Sequence, residues 1–190
     1  MDISGPKKFW YWRFQKLYSV KEVKLLNKKI KQNFLSLKDY PADKVIKTAK
    51  VFFVNPLKIK ELEKMFEAVY SANRDNFGFN LFDSINDKHL PLNYNIYDSK
   101  VKGEYEYHAD ACYDNPIADI KLTGILNLSM EPYEGGKFYL NPFGAELEVA
   151  EMSQPGNMII FPSWFHHKVT PVTKGKRITL SMWAQGPKFV

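Results

Sequence analysis

With 190 residues, 45% of them hydrophobic and 25% charged, the chain is long enough for one well-buried core, short for two, and too apolar for disorder. Its one cysteine, Cys112, excludes an internal disulfide and a cysteine-rich zinc site, and suits a reducing compartment. A net charge of +6 would favour anionic partners, but among the basic residues only Arg13, Arg74 and Arg177 are arginine and the lysines are scattered, so charge alone makes no case for nucleic acid.

Met1 to Lys8 is not followed by a continuous apolar region, and no later run approaches membrane-spanning length, so a cytoplasmic protein is expected. Phe9 to Phe14 is short and aromatic and reads as a strand. Ser19 and Glu22 have the spacing of a capping box, and Val23, Leu26, Ile30 and Phe34 follow at helical spacing. Asp39 to Thr48 reads as a connection and Val51 to Val54 as a buried strand. Asn55 and Pro56 suit the cap and first turn of a second helix, whose apolar stripe is Ile59, Leu62, Phe66 and Val69 and which runs out near Asn73. Arg74 to Leu90 lacks periodicity and reads as a lid or binding loop.

From there β-type runs alternate with Gly, Pro, Asn and Asp clusters. Eight can be counted: Leu92 to Tyr97, Glu104 to Asp110, Lys121 to Ser129, Gly136 to Leu140, Glu146 to Ala150, Asn157 to Phe161, Phe165 to Val172 and Arg177 to Ala184. That number matches a jelly roll, two sheets closing around a cavity. The expected architecture is mainly β with flanking helices, one domain over 1–190, in which 1–90 give helical support and a lid and 91–187 form the jelly-roll core.

His108 and Asp110 are two residues apart, so on a strand both side chains leave the same face and can share one ion. His167, at the start of the seventh run, is the available third ligand; two imidazoles and a carboxylate make the facial triad of non-haem Fe(II) oxygenases. Each piece alone is weak, since a His-x-Asp triplet is common by chance. The distinguishing feature is Arg177, ten residues beyond His167 and on one face with Thr179. A guanidinium beside a hydroxyl makes a bidentate carboxylate receptor, and such a receptor next to Fe(II) suits a keto-acid chelated at one end and anchored at the other.

With these residues in order, the chain resembles the Fe(II)/2-oxoglutarate-dependent oxygenases, and among them the prolyl 4-hydroxylase-like group of bacterial and phage type. The resemblance covers roughly Leu92 to Pro187, through Tyr97, Tyr107-His108-Ala109-Asp110, Tyr133-Glu134-Gly135-Gly136, Pro155-Gly156-Asn157, Phe161-Pro162-Ser163, His167-Lys168-Val169-Thr170-Pro171-Val172, Gly175-Lys176-Arg177 and Trp183. It implies that His108, Asp110 and His167 bind Fe(II). It implies also that Arg177, Thr179 and Tyr97 hold 2-oxoglutarate, with Asn127 where related enzymes often place a tyrosine. His167 is preferred to His166 because the His-x-Val-x-Pro-Val pattern begins there, and alternation turns His166 to the opposite face. The reaction implied is oxidative decarboxylation of 2-oxoglutarate with O2 to succinate and CO2, coupled to hydroxylation of an unactivated C–H bond, with ascorbate a candidate accessory reductant. Since related halogenases lack the carboxylate ligand, Asp110 points to hydroxylation.

The expected substrate is a prolyl or other amino-acid residue in a peptide or protein, or a free amino acid. An oxidative nucleic-acid demethylase is the rival enzyme, but relatives of that type carry a second arginine six residues after the first, where this chain has Trp183. A non-catalytic jelly-roll binding module is the other alternative. Cys112 reads as a small buried thiol, Trp164, Trp183 and Tyr105 as core or groove-lining aromatics, and His89 as a loop residue without an assigned partner. Substrate choice falls to Arg74 to Leu90 and Ala111 to Asp119, which carry no readable motif. Nothing in the sequence sets an oligomeric state.

Overall fold

The computed structural model describes residues 9–40, 46–82, 91–111 and 117–189. Cys112 and His89, parts of the Arg74 to Leu90 loop and of Ala111 to Asp119, lie outside the described residues. The fold is mainly β, as the strand count implied. A curled sheet carries the chain's chemistry, and two helices cover one of its faces.

The aromatic amino-terminal run shrinks to β1, Trp12–Phe14, paired with β10, Met158–Pro162. Helix α1, Val20–Lys31, begins with the capping box: Ser19 N–H donates to Glu22 Oε2 at 2.7 Å and Glu22 N–H to Ser19 Oγ at 3.3 Å. Phe34 departs from the expected helix stripe. It opens β2, Phe34–Tyr40, stacked on Phe52 at 4.2 Å, a cross-strand aromatic contact that a helical Phe34 would lose. Strand β3, Lys47–Val54, also starts four residues before the expected Val51, so Lys47 and Thr48 at the end of the expected connection, like Asp39 and Tyr40 at its start, are strand. Asn55 Oδ1 accepts from Leu57 N–H at 3.0 Å, but Pro56 opens a 3-10 turn; helix α2 follows at Glu63–Ala72 and continues as a π turn over Asn73–Phe77, ending at Gly78 with φ 72°.

All eight expected runs contain strand. They become β4 (Leu92–Asp98), β5 (Glu104–His108), β6 (Ala118–Asn127), β8 (Phe138–Asn141), β9 (Leu147–Glu148), β10, β11 (His166–Val169) and β13 (Lys176–Pro187). Two short strands outside the main sheet, β7 (Glu134–Gly135) and β12 (Val172–Lys174), pair with each other. The sheet runs β1-β10-β6-β13-β4-β3-β5-β11-β8-β9, with β2 also on β3. Strand β3 makes the bend: Lys50 to Val54 pair with β4, whereas Lys47 and Thr48 pair with β5.

The period of two along β13 shows how the layers form. Leu180, Met182 and Ala184 face the helices and join Val23, Leu26, Ile30, Leu62, Met65 and Val69 in one buried cluster. Arg177, Thr179, Ser181 and Trp183 point the other way, into a cavity of about 90 Å³ between the two limbs of the sheet. Gly124 on β6 serves the first layer, because a Cβ there would stand 2.7 Å from Met158 Cε and 3.4 Å from Val69 Cγ2.

Candidate metal centre

His108 closes β5, and β11 supplies His167 directly opposite it in register. The strand ends before Asp110, contrary to the run to Asp110 expected from alternation. Asp110 is placed instead by its backbone N–H, which donates to the Ser163 carbonyl at 2.9 Å. Its carboxylate then stands between the imidazoles, Oδ1 3.6 Å from His108 Nε2 and Oδ2 3.5 Å from His167 Nε2. One ligand atom from each of the three residues lies within 4.8 Å of the others. On β11, His167 is 3% exposed while His166 faces solvent, as alternation required.

Hydrogen bonds fix which nitrogen is offered. His108 Nδ1 lies 2.8 Å from the Glu106 carbonyl and His167 Nδ1 3.0 Å from the Phe165 carbonyl. A carbonyl can only accept, so Nδ1 carries the proton and the Nε2 lone pair faces Asp110. Burial pushes the His108 imidazole down to about 3, helped by His167 and opposed by Asp110; His167 is lowered by burial against the same carboxylate. Both rings are therefore neutral ligands. Thr123 Oγ1 donates to Asp110 Oδ2 at 2.8 Å and orients it. Tyr105 stacks on His108 with ring centroids 3.4 Å apart, and Phe161 meets His167 at 4.8 Å. Two nitrogens and a carboxylate presented on one side, with the ring orientations already locked, fit a six-coordinate Fe(II) with three positions left open.

Arg177 is 1% exposed, and its Nε and Nη2 have no hydrogen-bond partner among the described residues. Buried guanidinium N–H groups are seldom left unpaired, so this pair marks a place for an anion. Thr179 and Tyr97 line the same cavity, and Tyr97 is the register partner of Arg177, its ring centroid 5.6 Å from the guanidinium carbon. Burial pushes the Tyr97 hydroxyl up to about 12, Arg177 opposing, so it stays protonated. Asn127 pairs with Thr179 in register, but its side chain is engaged elsewhere. Its Nδ2 donates to the Met152 carbonyl at 2.7 Å and its Oδ1 accepts from Ser129 N–H at 2.7 Å.

The paired glycines of the Tyr133 to Gly136 motif fit this receptor. Both have positive φ; a Cβ on Gly135 would stand 2.2 Å from the Pro171 carbonyl oxygen, and one on Gly136 3.0 Å from Arg177 Cδ.

Lys47, Asn93, Asn95 and Ser181 also line the cavity, and sequence reasoning missed them. Alternation from Tyr97 and Thr179 reaches Asn95, Asn93 and Ser181; Lys47 gave no signal because it lies in what read as a connection. Trp183 and Tyr105 line the cavity too, whereas Trp164 packs beside Phe79, Phe165 and Phe189.

A curled jelly-roll sheet holding a two-histidine, one-carboxylate triad beside a buried arginine defines the class of protein. Residues 92–185 match the sequence model of the 2OG-Fe(II) oxygenase superfamily, and the chain is a member of that superfamily. A PKHD-type hydroxylase of Alteromonas mediterranea is 38% identical over 88 residues, covering 43% of this chain and 38% of the relative. The chain thus spans less than half the length of this curated relative. Among solved structures, a prolyl-4-hydroxylase of Pseudomonas putida superposes with a TM-score of 0.69 at 17% identity, covering 94% of each chain. A prolyl hydroxylase of Trichoplax adhaerens, solved with a hypoxia inducible factor peptide fragment, gives 0.64 at 13% identity, covering 92% of this chain and 83% of that one.

Proposed function

We propose that this chain is an Fe(II)- and 2-oxoglutarate-dependent hydroxylase acting on an unactivated C–H bond of a prolyl or other amino-acid residue, in a peptide or as the free amino acid. The observation that carries the reading is the pair of unpartnered Arg177 nitrogens sharing one cavity with the triad. His108, Asp110 and His167 would hold the iron, and bound Fe(II) would supply activation of O2 and oxidative decarboxylation of the keto-acid. Arg177 would take the distal carboxylate of 2-oxoglutarate in a bidentate contact, with the Thr179 and Tyr97 hydroxyls as further donors. Tyr105, Phe138 and Phe161 would keep bulk water from the ligand rings. Asn127, with both ends of its amide engaged, would act on the cosubstrate only by setting the position of β6 against Thr179.

The substrate class is supported by what the similar proteins are: a PKHD-type hydroxylase, and prolyl hydroxylases, one of them bound to a peptide fragment. A reducing cytoplasm, where Fe(II) persists and ascorbate can restore it, belongs to the same proposal. So does the division into amino-terminal support and jelly-roll core. No helix among the described residues is long and apolar enough to cross a membrane.

A thermal-shift series tests the reading. Metal should raise the melting temperature, and N-oxalylglycine, the unreactive analogue of 2-oxoglutarate, should raise it further only when metal is present. No response to either would overturn the proposal. Product mass spectrometry on a peptide panel would then identify the residue hydroxylated.

A further inference from the structure

Lys47 reaches the cavity from β3, is 8% exposed, and donates from Nζ to Asn95 Oδ1 at 3.0 Å. An ammonium can only donate, so the oxygen of the Asn95 amide faces Lys47. On its other side Asn95 Nδ2 lies 3.0 Å from the Asn93 carbonyl, which can only accept. The two contacts agree, and the amide has one orientation. With one N–H given to the Asn93 carbonyl, the other faces the hydroxyls of β13, its nitrogen 3.2 Å from Ser181 Oγ and 3.5 Å from Thr179 Oγ1.

This polarity passes to the cavity. The two hydroxyl oxygens share that one donor on their β4 side, Ser181 the more closely, and no hydrogen-bond acceptor for either O–H is found among the described residues, so both O–H protons are free to point inward. Arg177, Thr179 and Ser181 alternate along one face of β13, which places these hydroxyls in a row with the unpartnered Arg177 nitrogens. Lys47 also adds a second cation to a cavity whose one acidic lining residue among the described residues is Asp110. Keeping a lysine buried is costly, and burial holds its ammonium down at about 8.

We propose that Lys47 and Asn95 are positioning residues that turn the β13 wall into a row of hydrogen-bond donors, so that Thr179 and Ser181 join Arg177 in receiving the distal carboxylate of the cosubstrate. The proposal rests on the function given above. It assigns to a lysine and an asparagine, neither touching the metal, control over which keto-acids the cavity accepts.

The test compares two ligands by calorimetry on the Zn(II)-loaded protein: N-oxalylglycine, and oxamate, which has the same chelating end but no distal carboxylate. Asn95→Asp keeps the size of the side chain but replaces the N–H donor with an acceptor, drawing both O–H groups away from the cavity. It should weaken N-oxalylglycine by roughly tenfold or more while leaving oxamate and Zn(II) affinities within about twofold. Lys47→Met, which removes one of the two contacts that fix the amide, should give a smaller loss of the same selectivity, and it carries the comparison alone if Asn95→Asp does not fold. Unchanged N-oxalylglycine binding, or a parallel fall for oxamate, would overturn the inference. A wild type that binds N-oxalylglycine no better than oxamate would overturn the 2-oxoglutarate reading itself, a result distinct from a wild type and variant that discriminate equally.

Discussion

His108 and His167 are direct partners in the β5–β11 register, with ring centroids 4.1 Å apart, and one carboxylate reaches both Nε2 atoms. Backbone pairing therefore holds the two nitrogen ligands together before any ion binds. The carboxylate is less constrained, depending on one backbone contact to Ser163 and one hydroxyl from Thr123.

Removing a ligand should therefore be far worse than removing its support. His108→Ala or Asp110→Ala should abolish 2-oxoglutarate turnover and lower metal affinity by more than about 100-fold, read by titration with Zn(II). Thr123→Val should cost about 10- to 100-fold in metal affinity, the range usual for a group that orients a ligand. Full turnover in either ligand variant would contradict the triad assignment.

The two glycines of the Glu134 to Gly136 turn should separate stability from binding. Gly135→Ala meets a backbone oxygen at 2.2 Å with φ 72°, which no side-chain rotation relieves. It should cost about 2 kcal/mol or more in urea unfolding. Gly136→Ala presses on Arg177 Cδ as well as on Val172, so it should weaken N-oxalylglycine binding in addition to lowering stability. The expected signature is a binding defect at Gly136 larger than at Gly135.

Asn127→Ala removes two buried hydrogen bonds and leaves the Met152 carbonyl and the Ser129 N–H without their partner. A loss of about 2–4 kcal/mol in stability is expected, with N-oxalylglycine affinity changed less than about threefold in the folded fraction. A selective loss of affinity at unchanged melting temperature would instead make Asn127 a direct cosubstrate contact.

Lys47 predicts an alkaline effect with a definite sign. Its ammonium titrates at about 8 when folded and at its ordinary 10.5 when unfolded, the main cause being burial. Between those values the unfolded chain holds the proton and the folded chain does not, so this group's contribution to stability rises with pH. Below about 8 both states are charged and the burial cost is complete. Lys47→Met should gain most relative to wild type at pH 7, and the difference should shift toward wild type by up to about 1.4 kcal/mol per pH unit from 8 to 10.5. A difference that stays constant across that window, measured by denaturant unfolding of both proteins, would contradict a buried charged Lys47.

Local pattern alone settled a good part of this protein. The Ser19 and Glu22 spacing determined a capped helix, because the capping box is made within four residues. Alternation along β13 put Arg177 and Thr179 on one face, and alternation along β11 separated His167 from His166, because a strand's side chains change face at every residue whatever the strand pairs with. What depended on distant partners was not legible. Phe34 continued a helical stripe in sequence but belongs to β2, since its stacking partner Phe52 is supplied by another strand. Asp110 reached the metal site through the Ser163 carbonyl rather than by strand alternation, and Asn127 was drawn from the cavity by Met152 and Ser129. Lys47 was one of the scattered lysines, in a stretch that read as a connection. The bend of β3 between β4 and β5 buried it beside Asn95, and only that long-range pairing gave it a role. The sequence by itself determined the ligand types and their order along the strands; the tertiary structure decided which polar groups remain unpaired inside the cavity, because pairing is settled by neighbours that chain order does not name.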